Sequence, residues 1–205
     1  GGTGGHITPA LALCEALRAH APHSALWYIG RARSLEQRMA RDAGVHFAAL
    51  PAAPLRPGLW GLLRCAAVNL RGVIQACVLI VRVRPAAIVG FGGYVSFPLL
   101  LAGVCLRRTV IVHEANAVPG KTVRLLVRLG ARLAYGLESG RDEFRHARTL
   151  RLHPERVCCT GNPLRRAFLD DLRAAPQDVP GLQPGVATVM VLGGSQGSRC
   201  LNTLA

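Results

Sequence analysis

Acidic residues are scarce in this chain: 11 Asp and Glu stand against 25 Lys and Arg, leaving a formal charge of +14. The imbalance points to an anionic partner (nucleic acid, an acidic membrane surface or a phosphorylated substrate) or to a solvated, arginine-rich surface, and charge alone does not choose. Aromatic residues are few as well, at 5 %. A nucleic-acid groove needs aromatics interleaved with its basic residues, so no nucleic-acid partner is expected. The 7 cysteines are odd in number and include no Cys-x-x-Cys pair, which excludes a disulfide framework and the usual zinc spacing. They are expected to behave mostly as small core residues in a reducing cytoplasm. No signal peptide is visible. An uninterrupted apolar run of spanning length is also missing, because Arg64, Asn69, Arg71 and Gln75 break the stretch from Trp60 to Arg82. That pattern predicts an amphipathic helix rather than a membrane span.

What is present suffices for a core. Half of the 205 residues are hydrophobic, enough for one large domain or one domain and part of another. Strand-like and helix-like segments alternate. Helices are predicted over Ile7 to Ala19, Ser34 to Asp42 and Trp60 to Arg82, from about Phe97, and after Pro119. Strands are predicted at Ser24 to Ile29, Val45 to Leu50, Ala86 to Val89, in TVIVHEAN, and around Ala131 to Leu137. This alternation predicts an α/β fold with a Rossmann-like parallel sheet flanked by helices. Past Glu138 the chain turns polar, and AAPQDVPGLQPG reads as an interdomain linker. The expected boundaries are a first domain over residues 1–173, a linker over 174–185 and the start of a second domain over 186–205. The chain has no initiator Met and opens on a loop that in α/β proteins follows a strand, so a first strand is expected to be missing.

Three glycine-rich loops occupy comparable places: GGTGG at Gly1 to Gly5, GFGG at Gly90 to Gly93, and GGSQG at Gly193 to Gly197. Glycines before a helix allow a phosphate to approach bare backbone N–H groups, and diphosphate is the expected visitor. Any one such loop could equally be a tight strand-to-helix turn. The dinucleotide fingerprint fails, since Ile7 and Val95 stand where glycine or alanine is needed, and no Walker lysine follows the loops. These failures argue against a Rossmann oxidoreductase.

GGTGGHITPALAL, GFGGYVSFP, HEANAVPGKTVRLL, TGNPLRRAF and GGSQGSRCLN occur in the order seen in the MurG family of bacterial glycosyltransferases, and the chain resembles that family along nearly its whole length. The resemblance implies the N-terminal half of a two-domain GT-B fold. It also implies inverting transfer of N-acetylglucosamine from UDP-N-acetylglucosamine to lipid I, the undecaprenyl-pyrophosphate-linked muramoyl peptide, giving lipid II for peptidoglycan. No cofactor and no metal are expected. The implied setting is peripheral, on the cytoplasmic side of the inner membrane, among other cell-wall synthesis proteins that govern cell shape and division. This chain by itself is expected to be inactive. The alternative from another class is a non-catalytic basic α/β module that docks on membrane or nucleic acid.

Carried over position by position, the resemblance places Thr3, Gly4, Gly5, Asn116, Arg165 and Ser195 at the UDP-N-acetylglucosamine. Gly2, Gly92, Gly93 and Tyr94 fall in the loops expected to meet the acceptor diphosphate. Asn116 could instead hold a turn, and Arg165 a surface salt bridge. His6 is the candidate general base for the acceptor hydroxyl, or else a helix cap or phosphate ligand. His113 and Glu114, consecutive on a strand, are expected to support the site from opposite faces. Two departures stand out: HEAN where HEQN is usual, and Phe97 where glycine is common. Because lipid I is membrane-anchored, two stretches are candidates for membrane contact. One is apolar, Trp60, Leu62, Leu63 and Leu70 flanked by Arg56, Arg64 and Arg71; the other is the basic stripe Lys121, Arg124 and Arg128.

Overall fold

In a computed structural model, residues 4–138 and 154–171 are described. Gly2, Thr3, Ser195, the expected linker and the expected second domain lie outside them. The first helix, α1 (Gly4–His20), starts earlier than the sequence pattern predicts: Gly4, Gly5 and His6 form its first turn. It buries Ile7, Leu11 and Ala12, and Pro9 lies inside it, where its missing N–H leaves the Gly5 carbonyl without the usual i to i−4 bond. Strand β1 (Trp27–Gly30) leads to α2 (Leu35–Asp42), and β2 (His46–Ala49) pairs with β1 in parallel. Ser34 caps α2 by accepting a hydrogen bond from the Gln37 N–H. Ile7, Leu11, Tyr28, Ala40 and Val45 knit α1, α2, β1 and the approach to β2 into one apolar cluster.

The long apolar segment is α3 (Leu59–Val83). By length and composition it could cross a membrane, yet one face of it is built for packing on protein. Gly72, Ala76 and Ile80 are buried, and a Cβ on Gly72 would collide with the Pro51 carbonyl oxygen and the Pro98 ring. Asn69, one of the polar interruptions, donates to the Ala53 carbonyl at 3.0 Å and so fixes the proline-rich stretch before the helix. The chain then alternates through β3 (Ile88–Gly90), α4 (Phe97–Cys105), β4 (Val110–Glu114), α5 (Lys121–Arg128) and β5 (Arg132–Tyr135). A 3₁₀ turn at Pro154–Arg156 precedes β6 (Val157–Cys159), and α6 (Arg166–Asp171) follows.

Strands β3 to β6 form a parallel sheet in the order β3-β4-β5-β6. Helix α4 packs against α3 and α5, and these helices share one core with the sheet through Ile80, Leu100, Val112, Leu126 and Leu133. The predicted α/β class and parallel pairing hold. Strand β6 and α6 escaped the sequence reading, because a run of three strand residues inside a polar stretch carries no usable periodicity. The cysteines need correction as well: Cys14, Cys65 and Cys77 are half-buried, but Cys105, Cys158 and Cys159 are exposed and not core residues.

Candidate functional site

Parallel strands place their carboxyl ends on one edge, and the loops that leave those ends are where an α/β sheet binds ligands. Here these are the turn after β1, the Gly-rich loop after β3, the HEAN loop after β4 and the TGNPLRR loop after β6.

His6, which follows the first glycine-rich segment, meets the glycine-rich turn after β3. A Cβ on Gly92 would lie 3.6 Å from His6 Nε2, so the imidazole in the first turn of α1 faces the turn after β3 directly. Gly92 (φ 82°) and Gly93 (φ 75°) are both left-handed, which a side chain would resist. Ser96 holds this turn by donating its hydroxyl hydrogen between the Gly92 and Gly93 carbonyls, at 2.8 and 3.0 Å. Burial lowers the His6 pKa, and the carboxylates of Glu114 and Glu36 oppose part of that shift. A neutral imidazole is therefore favoured near neutral pH, the form able to accept a proton. Gly5 differs from Gly92. Among the described residues a Cβ there would meet nothing within 4 Å, so packing against them does not explain that glycine.

Tyr94 carries the same loop to the turn after β1. Its hydroxyl accepts a hydrogen bond from Arg31 Nη1 at 2.9 Å. The Arg31 backbone N–H donates to Glu36 Oε2 at 2.9 Å, and its carbonyl accepts from the Ser34 hydroxyl at 2.6 Å. Glu36 is only 1 % exposed, and the absence of a side chain at Gly30 makes room for it, since a Cβ there would sit 2.5 Å from Glu36 Oε2. The sequence reading named neither Arg31 nor Glu36. The signal was a charged residue, Glu36, on the first turn of a helix whose buried face needs apolar side chains, and only the fold explains it.

In the HEAN loop the organiser is Glu114. Its Oε1 accepts from the Asn116 backbone N–H (3.0 Å) and side-chain Nδ2 (2.8 Å), and its Oε2 from the Gly120 N–H (3.0 Å). Asn116 is exposed and has its amide nitrogen engaged, which presents Oδ1 as the available acceptor. His113, on the other face of β4, is buried and hydrogen-bonds the Gly161 carbonyl through Nε2 at 3.0 Å. The two supporting residues thus bind two different loops to one strand. Phe97 packs on the sheet core at the start of α4, which absorbs its bulk. Arg165 is not free: Nε and Nη2 both contact Glu15 Oε1 at 2.8 Å, tying the TGNPLRR loop to α1.

The candidate membrane residues lie elsewhere. Trp60 is 84 % exposed, and Leu62, Leu63, Leu70, Ile74, Val78 and Val81 are exposed along α3 beside Arg64 and Arg71. Lys121, Arg124 and Arg128 are exposed on α5, with Arg124 Nε donating to the Pro119 carbonyl at 3.0 Å.

Compared with known proteins, residues 1–134 match the glycosyltransferase family 28 N-terminal domain. The chain is 38 % identical, over 98 % of its length and 56 % of the relative's, to the UDP-N-acetylglucosamine--N-acetylmuramyl-(pentapeptide) pyrophosphoryl-undecaprenol N-acetylglucosamine transferase of Pelobacter propionicus. The Streptomyces collinus protein of that name is 40 % identical, over 98 % of this chain and 54 % of the relative. The crystal structure of Acinetobacter baumannii MurG superposes with a TM-score of 0.59 at 26 % identity, covering 82 % of this chain and 45 % of that one. The chain spans about half the length of the curated relatives it matches.

Proposed function

The chain belongs to glycosyltransferase family 28, and from that premise we propose that it forms the acceptor-side half of an enzyme that moves N-acetylglucosamine from UDP-N-acetylglucosamine onto lipid I to make lipid II. The observation that carries this reading is the approach of His6 to the Gly92 turn, which sets a neutral imidazole against two consecutive left-handed glycines. In the proposed reaction His6 Nε2 takes the proton of the acceptor sugar hydroxyl as its oxygen attacks the anomeric carbon. The bond from that carbon to the diphosphate oxygen breaks, UDP leaves with the electron pair, and the configuration inverts. In this reading the acceptor diphosphate lies over Gly92, Gly93 and Tyr94; Gly2, assigned to it by the resemblance, lies outside the described residues. Asn116 Oδ1 and the outer edge of Arg165 turn to the donor, together with Thr3, Gly4, Gly5 and Ser195. The boundaries at residues 173 and 185 belong to this same reading: residues 186–205 begin the donor half.

The test joins this chain to the C-terminal half of the Streptomyces collinus relative and follows labelled sugar into a lipid I analogue. Transfer by the hybrid, and none by the chain alone, is expected. A hybrid that folds and binds UDP-N-acetylglucosamine but transfers nothing overturns the reading.

The same reading places the chain on the cytoplasmic face of the inner membrane, where lipid I would be reached. Its support is the apolar stripe of α3, which the fold leaves uncovered, in the same helix layer as the basic residues of α5. An anionic leaflet attracts each nearby Lys or Arg by about 1 kcal/mol. Co-sedimentation with vesicles should rise with anionic lipid, fall with salt, and weaken when Lys121, Arg124 and Arg128 become Glu or Trp60 becomes Ser. Binding indifferent to all of these changes removes the membrane from the proposal.

A further inference from the structure

Two arginines stand at the loop edge of this fold in opposite electrostatic states. Arg165 is neutralised by the Glu15 carboxylate. Arg31 is not: its guanidinium is held by the uncharged Tyr94 hydroxyl, and among the described residues it forms no ion pair. An exposed arginine on a turn ordinarily keeps its rotamer freedom. In Arg31 the turn is fixed and the side chain is tethered at its tip. Its backbone N–H is fixed by buried Glu36, its carbonyl by Ser34, and its guanidinium by Tyr94, 63 positions along the chain. The turn itself is further pinned by the Arg33 N–H, which donates to Gln37 Oε1 at 2.8 Å.

The hydrogen bond uses one of five guanidinium N–H donors, so the rest remain for a ligand. Tyr94 adjoins the left-handed pair Gly92 and Gly93, and Gly92 faces His6. The guanidinium, the bare turn and the imidazole therefore follow one another along a single loop. A planar cation with paired donors beside an uncrowded backbone suits an anion with several oxygens on neighbouring phosphorus atoms. We propose that Arg31 is the diphosphate-binding cation of this site, positioned by Tyr94 so that the ligand lies across the Gly92–Gly93 turn. The proposal rests on the diphosphate reading of the Gly-rich loops and adds to it a residue that determines which substrate end is held. A diphosphate can come from a prenyl-linked acceptor or from a nucleotide sugar. Arg31 lies beside the loop proposed for the acceptor, so the prenyl source is expected.

Titration calorimetry on the chain tests this with inorganic pyrophosphate, geranyl pyrophosphate and UDP. Arg31→Ala should weaken pyrophosphate and geranyl pyrophosphate about tenfold or more and leave UDP unchanged. Arg31→Lys, with charge but no fork, should recover only part of the loss. Tyr94→Phe keeps the cation and removes its anchor, and should weaken both ligands by a smaller factor at an unchanged melting temperature. A loss confined to UDP would keep Arg31 as the diphosphate cation and assign it to the nucleotide sugar. Unchanged binding of all three ligands by a folded Arg31→Ala chain overturns the proposal while Gly92→Ala still abolishes binding. If neither substitution changes the binding, or the unmodified chain binds no diphosphate, the reading of the loops falls with it.

Discussion

Glu15 on α1 and Arg165 after β6 are 150 positions apart in sequence and share a two-point contact, from Nε and Nη2 to one carboxylate oxygen at 2.8 Å each. The second carboxylate oxygen accepts the Arg166 backbone N–H at 3.2 Å. Glu15 therefore docks a whole loop on the helix that carries His6. With side chains 45 % and 33 % exposed, the pair is screened by water, and a double-mutant cycle on Glu15→Ala and Arg165→Ala should give a coupling of only about 0.5–1 kcal/mol in urea unfolding. A coupling indistinguishable from zero would mean that the contact does not persist in solution.

Gly5→Ala separates packing from ligand approach. Among the described residues nothing lies within 4 Å of the added methyl, and alanine is the better helix former by about 0.5–1 kcal/mol. Thermal unfolding should shift upward or stay put. On the proposed reading, binding of UDP-N-acetylglucosamine to the hybrid with the relative's C-terminal half should weaken, because the methyl would stand where the donor is placed. A variant with normal affinity would return this glycine to a purely local role.

Glu114 is 6 % exposed and accepts three N–H groups, so Glu114→Ala leaves donors of the 116–120 loop without their partner. A loss of about 2–3 kcal/mol is expected from chemical denaturation. Glu114→Gln should lose less, since one oxygen remains. Hydrogen exchange at the Gly120 amide is the local check: it should quicken in Glu114→Ala even under conditions where the global fold is fully populated.

His6 links stability to pH in a defined direction. Its folded pKa lies below its ordinary value near 6.5, chiefly through burial. The unfolded chain therefore takes up a proton that the folded chain resists. Stability is complete above about pH 6.5 and is lost as pH falls through the lowered folded value. Urea midpoints measured from neutral to about pH 5 should fall less steeply in His6→Asn than in the unmodified chain. In the completed enzyme the acid limb of kcat/KM should also lie below about pH 6.5, and His6→Ala should cost about 10²–10⁴ in turnover. Parallel pH curves for the two chains would remove His6 as the coupled group.

Much of this protein is local and was legible as such. Alternating apolar runs set the order of strands and helices, and glycine placement marked the turn at Gly92 and Gly93 though not the helical Gly4 and Gly5, because backbone periodicity and left-handed φ are properties of a few adjacent residues. HEAN named Asn116, and the strand rule correctly sent His113 and Glu114 to opposite faces of β4. Tertiary structure alone decided which distant groups neutralise one another. The sequence pointed to Arg165 and passed over Arg31, and it showed the partner of neither: Arg31 faces a tyrosine hydroxyl and Arg165 a carboxylate. It also left the apolar stripe of α3 uncovered, whereas the sequence allowed that stripe to be core. The reason is physical: charge pairing and burial depend on which surfaces the crossovers bring together, and no window of neighbouring residues contains that information.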